Sequence, residues 1–218
     1  MIDDPKVTDN RNYDYSHYTS SQRNEYSQIV SLIPQHSKVL DLGSGNGSLL
    51  ELLRDQKQCE ALGVEISQTG VDVSLQKGLR VIHGLIDTSL PFSENEFDFA
   101  VCNVTMQMVN YPEQLLREMK RVAKASIVSF PNFGFYRNRL EMLLNGAMPT
   151  TMLFGYQWFN TGHIHQLSFQ DFLKLVDFVG GLKVNKVLYT PSGSGLKDLG
   201  QKLLPNLFSM TPIILLTK

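Results

Sequence analysis

Val39-Leu-Asp-Leu-Gly-Ser-Gly-Asn-Gly47 reads as a buried strand that runs into a glycine-rich turn and then a helix. The strand covers residues 38 to 42, and the helix starts near Gly47 with Leu49, Leu50, Leu52 and Leu53 on a face suited to a sheet. Glycine carries no Cβ, so the backbone can turn sharply there and a ligand can approach the main chain closely. The helix that follows offers free N–H groups at its start. Strand, turn and helix in this order predict a nucleoside-cofactor site.

The same rhythm continues outward from the turn. Strands are expected over residues 60 to 66, 79 to 83, 97 to 103 and 126 to 130, and helices over 68 to 76 and from Pro112. Pro112 suits a first helical turn, and apolar residues follow at 115, 116, 119 and 122. Residues 184 to 189 and 212 to 216 read as two last strands forming an antiparallel edge pair, separated by a loop at Pro191-Ser-Gly-Ser-Gly195. Alternation of this kind predicts a doubly wound, mainly parallel seven-stranded α/β sheet. Ligands in such folds lie outside the carboxyl ends of the strands, where strand order reverses. Asp41, Glu65, the loop from Gly84 to Asp87, and Asn103 all fall at expected strand ends and converge on one crevice.

Two details favour S-adenosylmethionine over a dinucleotide. The dinucleotide fingerprint needs a third glycine where Ser48 stands, although Gly47 is adjacent. Asp41 near the strand end would repel a pyrophosphate but attract an ammonium and a sulfonium. Glu65 comes 24 positions later, near the spacing expected of a carboxylate that accepts bonds from ribose hydroxyls. The expected cofactor-binding residues are Asp41, Gly43, Ser44, Gly45, Glu65, Ile66, Asp87 and Asn103.

At 218 residues the chain suits one well-buried domain. Net charge is −1 and basic residues never run beyond adjacent pairs, so no electrostatic footprint for nucleic acid is expected. The densest basic stretch, residues 117 to 124, reads as the solvated face of a helix. Cys59 and Cys102 lack C-x-x-C spacing and are expected to stay reduced in a cytoplasmic protein. The polar N-terminus lacks a signal-peptide core, and the run at 212 to 216 is too short to span a bilayer. No membrane association is expected.

Residues 1 to 35 read as a polar, tyrosine-rich arm followed by a helix over about 22 to 33, and residues 36 to 218 as the main domain. Either the arm is loosely held, or one of its tyrosines Tyr13, Tyr15 and Tyr18, with Tyr18 the choice and a catalytic candidate, closes over the cofactor and shields it from water. Residues 132 to 167 break the rhythm and read as a lid or substrate wall. They carry a helix over 136 to 144, the Arg137/Arg139 pair, and Phe154-Gly-Tyr-Gln-Trp-Phe159. Asn132, Arg137, Arg139 and Trp158 are the candidate substrate or partner contacts. Asn132 with Pro131 alternatively only turns the chain, and the aromatics alternatively pack a second small core. His163 and His165 form His-x-His, but no third ligand has a recognisable spacing, so no metal is expected. His165 is either a general base or a structural hydrogen-bonding group. Ser168 with Asp171 predicts a capped helix start.

These residues resemble class I S-adenosylmethionine-dependent methyltransferases and, within them, the methionine biosynthesis protein MetW family. The narrower resemblance rests on Ser126-Ile-Val-Ser-Phe-Pro-Asn-Phe133, Arg137-x-Arg-Leu140, Gly146-x-Met-Pro149, Tyr156-x-Trp158, Ile164-His165 and Leu204-Pro-Asn-Leu207. It spans roughly residues 36 to 207 in a consistent order. The resemblance implies a Rossmann-like class I methyltransferase fold, S-adenosylmethionine as cofactor, and methyl transfer to a small-molecule acceptor in a setting of methionine biosynthesis. It also implies a link to homoserine acylation, and the alternative to methyl transfer is a non-catalytic S-adenosylmethionine-binding partner that regulates or activates a homoserine O-acyltransferase. This sequence departs from the family at Leu85, where an acid is common after Gly84, and at Ser44, where many members have Cys. Val104 replaces a usual Gln, while Thr105 and Gln107 match. His163 stands where an asparagine is usual. Methyl transfer from a sulfonium needs alignment and a desolvated pocket more than a strong acid or base, so no triad is expected.

Overall fold

The computed structural model describes residues 13–17, 23–153, 155–190 and 194–218. Tyr18 and Phe154 lie outside the described residues, as do the first twelve residues of the arm and residues 191–193 of the expected loop.

Seven strands form one sheet: β1 (Lys38–Leu42), β2 (Glu60–Glu65), β3 (Arg80–His83), β4 (Phe97–Asn103), β5 (Ala123–Ser129), β6 (Lys183–Tyr189) and β7 (Pro212–Thr217). Their spatial order is β3-β2-β1-β4-β5-β7-β6. The first five pair in parallel, whereas β7 runs antiparallel to both of its neighbours. The antiparallel pair sits at the sheet edge as the sequence predicts, with β7 on the inside and β6 outermost.

Side chains alternate across the sheet with period two. Val39, Val101, Ile127 and Ile213 pack on one face with Ile29 of the first helical segment, α1 (Tyr26–Leu32), with Ile33 just after it, and with Leu49 and Leu53 of α2 (Ser48–Lys57). Leu40, Ala100, Val128 and Ile214 face the other way, onto α4 (Pro112–Val122) and α6 (Phe169–Val179). α3 (Gln68–Gln76) covers β2 and β3 through Val71, Leu79 and Val81. α1 is thus part of this core.

Pro112 opens α4, and the Ser168–Asp171 capping box at the start of α6 is fully formed. The basic stretch differs from expectation. The helix ends at Val122, so Lys124 lies in β5 and pairs with Asp98 at 2.8 Å. Arg121 is bound to Glu118 and to the carbonyls of Leu90 and Phe92, clamping the loop before β4 rather than coating a solvated face. Residues 136–145 form α5 (Tyr136–Asn145). Two helices that the sequence did not announce, α7 (Gly195–Leu203) and α8 (Pro205–Phe208), connect β6 to β7, so Gly195 opens a helix instead of closing a loop.

Candidate functional site

Strand order reverses between β1 and β4, and the glycine turn leaves β1 at that point. Gly43 and Gly45 sit at φ +82° and +56°, a left-handed region that an L side chain adopts only with strain. Space excludes a side chain at Gly43 as well, since a Cβ there would lie 2.5 Å from Thr105 Cγ2. Gly43 N donates to Val64 O at 2.8 Å, which docks the turn onto β2.

Glu65 ends β2 and is buried. Its Oε2 accepts from Gly45 N at 2.6 Å and its Oε1 from Ser67 N at 2.8 Å. One carboxylate thus ties the glycine turn to the start of α3, where Ser67 is the N-cap. Burial raises the Glu65 pKa above the usual carboxylate value, opposed by these backbone donors. Asp41, two residues after Val39, points to the same face as Val39, toward the side covered by α2. It is 2 % exposed, and burial, then the charge of Glu65, push its pKa up to about 7. Two buried acids therefore flank the turn with only part of their charge relieved.

At the other expected positions the structure divides the residues. Ile66 and Leu85 are half-exposed apolar side chains at the ends of β2 and β3, joined by the Gly84 N to Glu65 O bond of 2.9 Å. They offer an apolar surface suited to a purine face. Ser44 turns inward instead: its buried hydroxyl lies where a Cβ on Gly63 would come within 2.5 Å of it, so the crevice is offered only its backbone. Asp87 accepts from Asn110 N and Tyr111 N at 2.8 and 3.1 Å, holding the loop before α4. Asn103 accepts from the Ser129 hydroxyl, locking the tips of β4 and β5 together.

Asn132 is a correction. Its Nδ2 lies within 3.4 Å of the carbonyls of Pro205, Asn206 and Ser209, and its Oδ1 accepts from Gly134 N and Phe169 N at 3.0 Å. Every polar atom of this fully buried carboxamide is committed to holding β5, α6 and α8 together, so it cannot serve as a substrate contact. Arg137 and Arg139 are not a pair either, because residues two apart on a helix diverge. Arg137 turns to the Tyr136 ring, whereas Arg139 donates to Gly134 O at 2.6 Å and approaches Asn206 O at 3.4 Å. Beside Arg139 lies a cavity of about 330 Å³, lined further by Gln170 and residues 203–207, away from β1 and β2. Trp158 is 65 % exposed and stacks edge-on against Phe159, while Tyr156 and Phe135 are buried. The aromatics thus divide between a small core and an open surface.

His165 donates its backbone N–H to Gln107 O at 3.0 Å. Among the described residues, His165 Nε2 and Gln107 Oε1 are buried without a hydrogen-bond partner. His163 is buried, and its pKa falls to about 4 through burial, then the charge of Arg23. Among the described residues no group of three or more His, Cys, Asp or Glu side chains is arranged to hold a metal ion, and no helix is long and apolar enough to cross a membrane.

Sequence reasoning missed Val104, which holds φ +52° at the tip of β4 although it is β-branched. Such a conformation is costly and collects at functional sites. No sequence signal announces it. Thr105, packed against Gly43, follows directly.

A doubly wound sheet with a glycine turn and two buried acids at the strand reversal defines the class: the fold is that of the class I S-adenosylmethionine-dependent methyltransferases. A solved S-adenosylmethionine-dependent methyltransferase from Thermotoga maritima superposes with a TM-score of 0.60 at 20% identity, covering 89% of this chain and 88% of that one. Residues 23–216 match the family model for the methionine biosynthesis protein MetW, and the chain belongs to that family. It is 36% identical over 143 residues to the bifunctional methionine biosynthesis protein MetXA/MetW of Rhodopirellula baltica, covering 61% of this chain and 23% of that one. Against the demethylmenaquinone methyltransferase of Renibacterium salmoninarum it is 30% identical over 119 residues, 51% of this chain and 50% of that one. The chain spans half or less of the length of these relatives.

Proposed function

We propose that the chain binds S-adenosylmethionine at the β1–β2–β4 tips and transfers its methyl group to a small-molecule acceptor. The observation that carries this reading is the Asp41–Glu65 pair, two buried acids on either side of a left-handed glycine turn. The residues fit the cofactor. Asp41 is a buried carboxylate suited to its ammonium, Glu65 has lone pairs remaining for ribose hydroxyls, and Ile66 with Leu85 suits a purine face. When bound, the cofactor supplies an electrophilic methyl group on a sulfonium. The chain's own residues hold and orient it and exclude water. His165, whose Nε2 is buried without a hydrogen-bond partner among the described residues, is the proposed general base toward an acceptor held under residues 132–167.

A second reading is favoured by one specific observation. The Rhodopirellula baltica relative joins MetXA and MetW in one chain. On that reading this chain binds the cofactor without turnover and regulates or activates a homoserine O-acyltransferase. The full commitment of Asn132 also weakens the case for an acceptor site at the tip of β5.

Calorimetry with S-adenosylmethionine and S-adenosylhomocysteine tests the shared step. Both are expected to bind, and Glu65→Gln is expected to weaken each by about 1–3 kcal/mol, the scale for hydrogen bonds to a charged group. Wild type that binds neither at millimolar concentration would sink both readings. A radiolabelled methyl-transfer screen on cell extract, paired with capture of the acyltransferase from the same extract, then separates them. Labelled product without capture supports the enzyme, and capture without product supports the partner.

A further inference from the structure

Residues 13–17 lie outside the region matched by the family model, yet they are built onto the cofactor crevice. Ser67 Oγ donates to Tyr13 O at 2.6 Å, and Tyr15 N donates to Thr69 Oγ1 at 2.9 Å, so the segment is fastened to the first turn of α3. Tyr13 is held at φ +44°, a left-handed conformation uncommon for an aromatic residue, and Ser16 N closes onto Asp14 Oδ1 at 2.8 Å just after it. This turn lays the Tyr15 ring over the seam between the glycine turn and α3. A Cβ on Gly45 would lie 3.2 Å from the Tyr15 hydroxyl oxygen, and one on Gly70 would lie 3.1 Å from its ring carbon Cδ2. Tyr13 lies within reach of the Glu65 charge. Its hydroxyl pKa is raised by burial and then by the charge of Glu65.

We propose that residues 13–17 form a retaining strap over the cofactor site, with the Tyr15 ring as the element that must lift before the cofactor can leave. The inference rests on the cofactor reading above. A ring over Gly45 and Gly70 covers the bond between Glu65 and the turn, and keeps water from competing for that carboxylate. Hydrogen bonds strengthen in such a drier setting, and a cover of this kind acts chiefly on the dissociation rate. The strap is fastened at Ser67 and Thr69, outside the sheet, so it can open without disturbing the core.

Stopped-flow displacement of S-adenosylhomocysteine from the full chain tests this. Tyr15→Ala is expected to speed dissociation by about tenfold or more, whereas Tyr15→Phe, which keeps the ring, holds the wild-type rate. Thr69→Val removes the acceptor of Tyr15 N and leaves the ring, and is expected to speed release by about threefold. It decides the matter should Tyr15→Ala fail to fold. Wild type that binds while the folded Tyr15→Ala releases ligand at an unchanged rate overturns the strap and leaves the cofactor reading standing. Wild type that binds neither cofactor form overturns the cofactor reading and the strap with it.

Discussion

Asp41 and His163 carry opposite pH dependences. The Asp41 carboxyl rises from 3.8 to about 7 in the fold, so the folded state keeps its proton longer than the unfolded chain does. Stability from this group is full at low pH and is lost as pH rises from about 4 to about 7. His163 falls from 6.5 to about 4, so its contribution is full above about 6.5 and is lost as pH falls toward 4. The two nearly offset each other between pH 4 and 6.5. Asp41→Asn removes the first, and denaturant unfolding of the variant should show stability climbing with pH across that window more steeply than in wild type. The difference should approach about 4 kcal/mol between pH 4 and pH 7 for a shift of about three units. A variant whose profile runs parallel to wild type would show that Asp41 does not titrate there. On the cofactor reading, a ligand ammonium favours ionised Asp41, so binding at pH 7 should release roughly half a proton. Calorimetry in buffers of different ionisation enthalpy measures this, and a buffer-independent enthalpy would count against the contact.

Among the elements, the stretch after β5 differs most from its sequence reading, and Asn132 shows why. A polar residue after Pro131 carries the same sequence signal whether it faces a ligand or ties the chain down. Its partners, Ser209 and Phe169, lie too far along the sequence for any local pattern to name them. Asn132→Ala removes a carboxamide bonded to α6, α8 and the chain before β7 and leaves buried carbonyls without a donor. It should lower unfolding free energy by about 3 kcal/mol or more. Denaturant titration checks this, and a loss under about 1 kcal/mol would return the residue to the list of ligand contacts. The parallel core was far more legible. The glycine turn, the leucines of α2, Pro112 and the Ser168 cap each signal through local spacing, which backbone geometry enforces directly. Glu65 was legible as an acid at a strand tip, although its bonds to Gly45 and Ser67 depend on the turn closing over β2. Which arm tyrosine packs on the glycine turn, the conformation of Val104 and the inward turn of Ser44 were not legible, because they follow from tertiary contacts. α7 was passed over because its short apolar stripe, Leu196, Leu199 and Leu203, follows a Gly/Ser-rich stretch that reads as loop.

Across the whole molecule, the proposed cofactor site and the proposed recognition surface draw on different parts. β1, β2, α3 and the strap supply buried acids and a covered turn. The insertion instead presents apolar side chains to solvent: Leu143 is 78 % and Leu144 77 % exposed on α5, and Trp158 stands open nearby in sequence. Exposed apolar clusters of this kind mark contact surfaces more often than isolated exposed leucines do. Residues 132–167, on the partner reading, are therefore the surface that meets the acyltransferase. The MetXA/MetW relative gives that occupant a basis, since both parts travel in one chain there. Leu143→Glu with Leu144→Glu places two charges on an already exposed helix face, so the fold and cofactor affinity should be preserved. Capture of the acyltransferase should fall by about tenfold or more, because each charge would be desolvated against the partner. Binding measured by calorimetry against the purified acyltransferase reads this directly. Retained capture with both charges present would move the interface away from α5, and loss of cofactor binding in the folded variant would end the separation between site and surface.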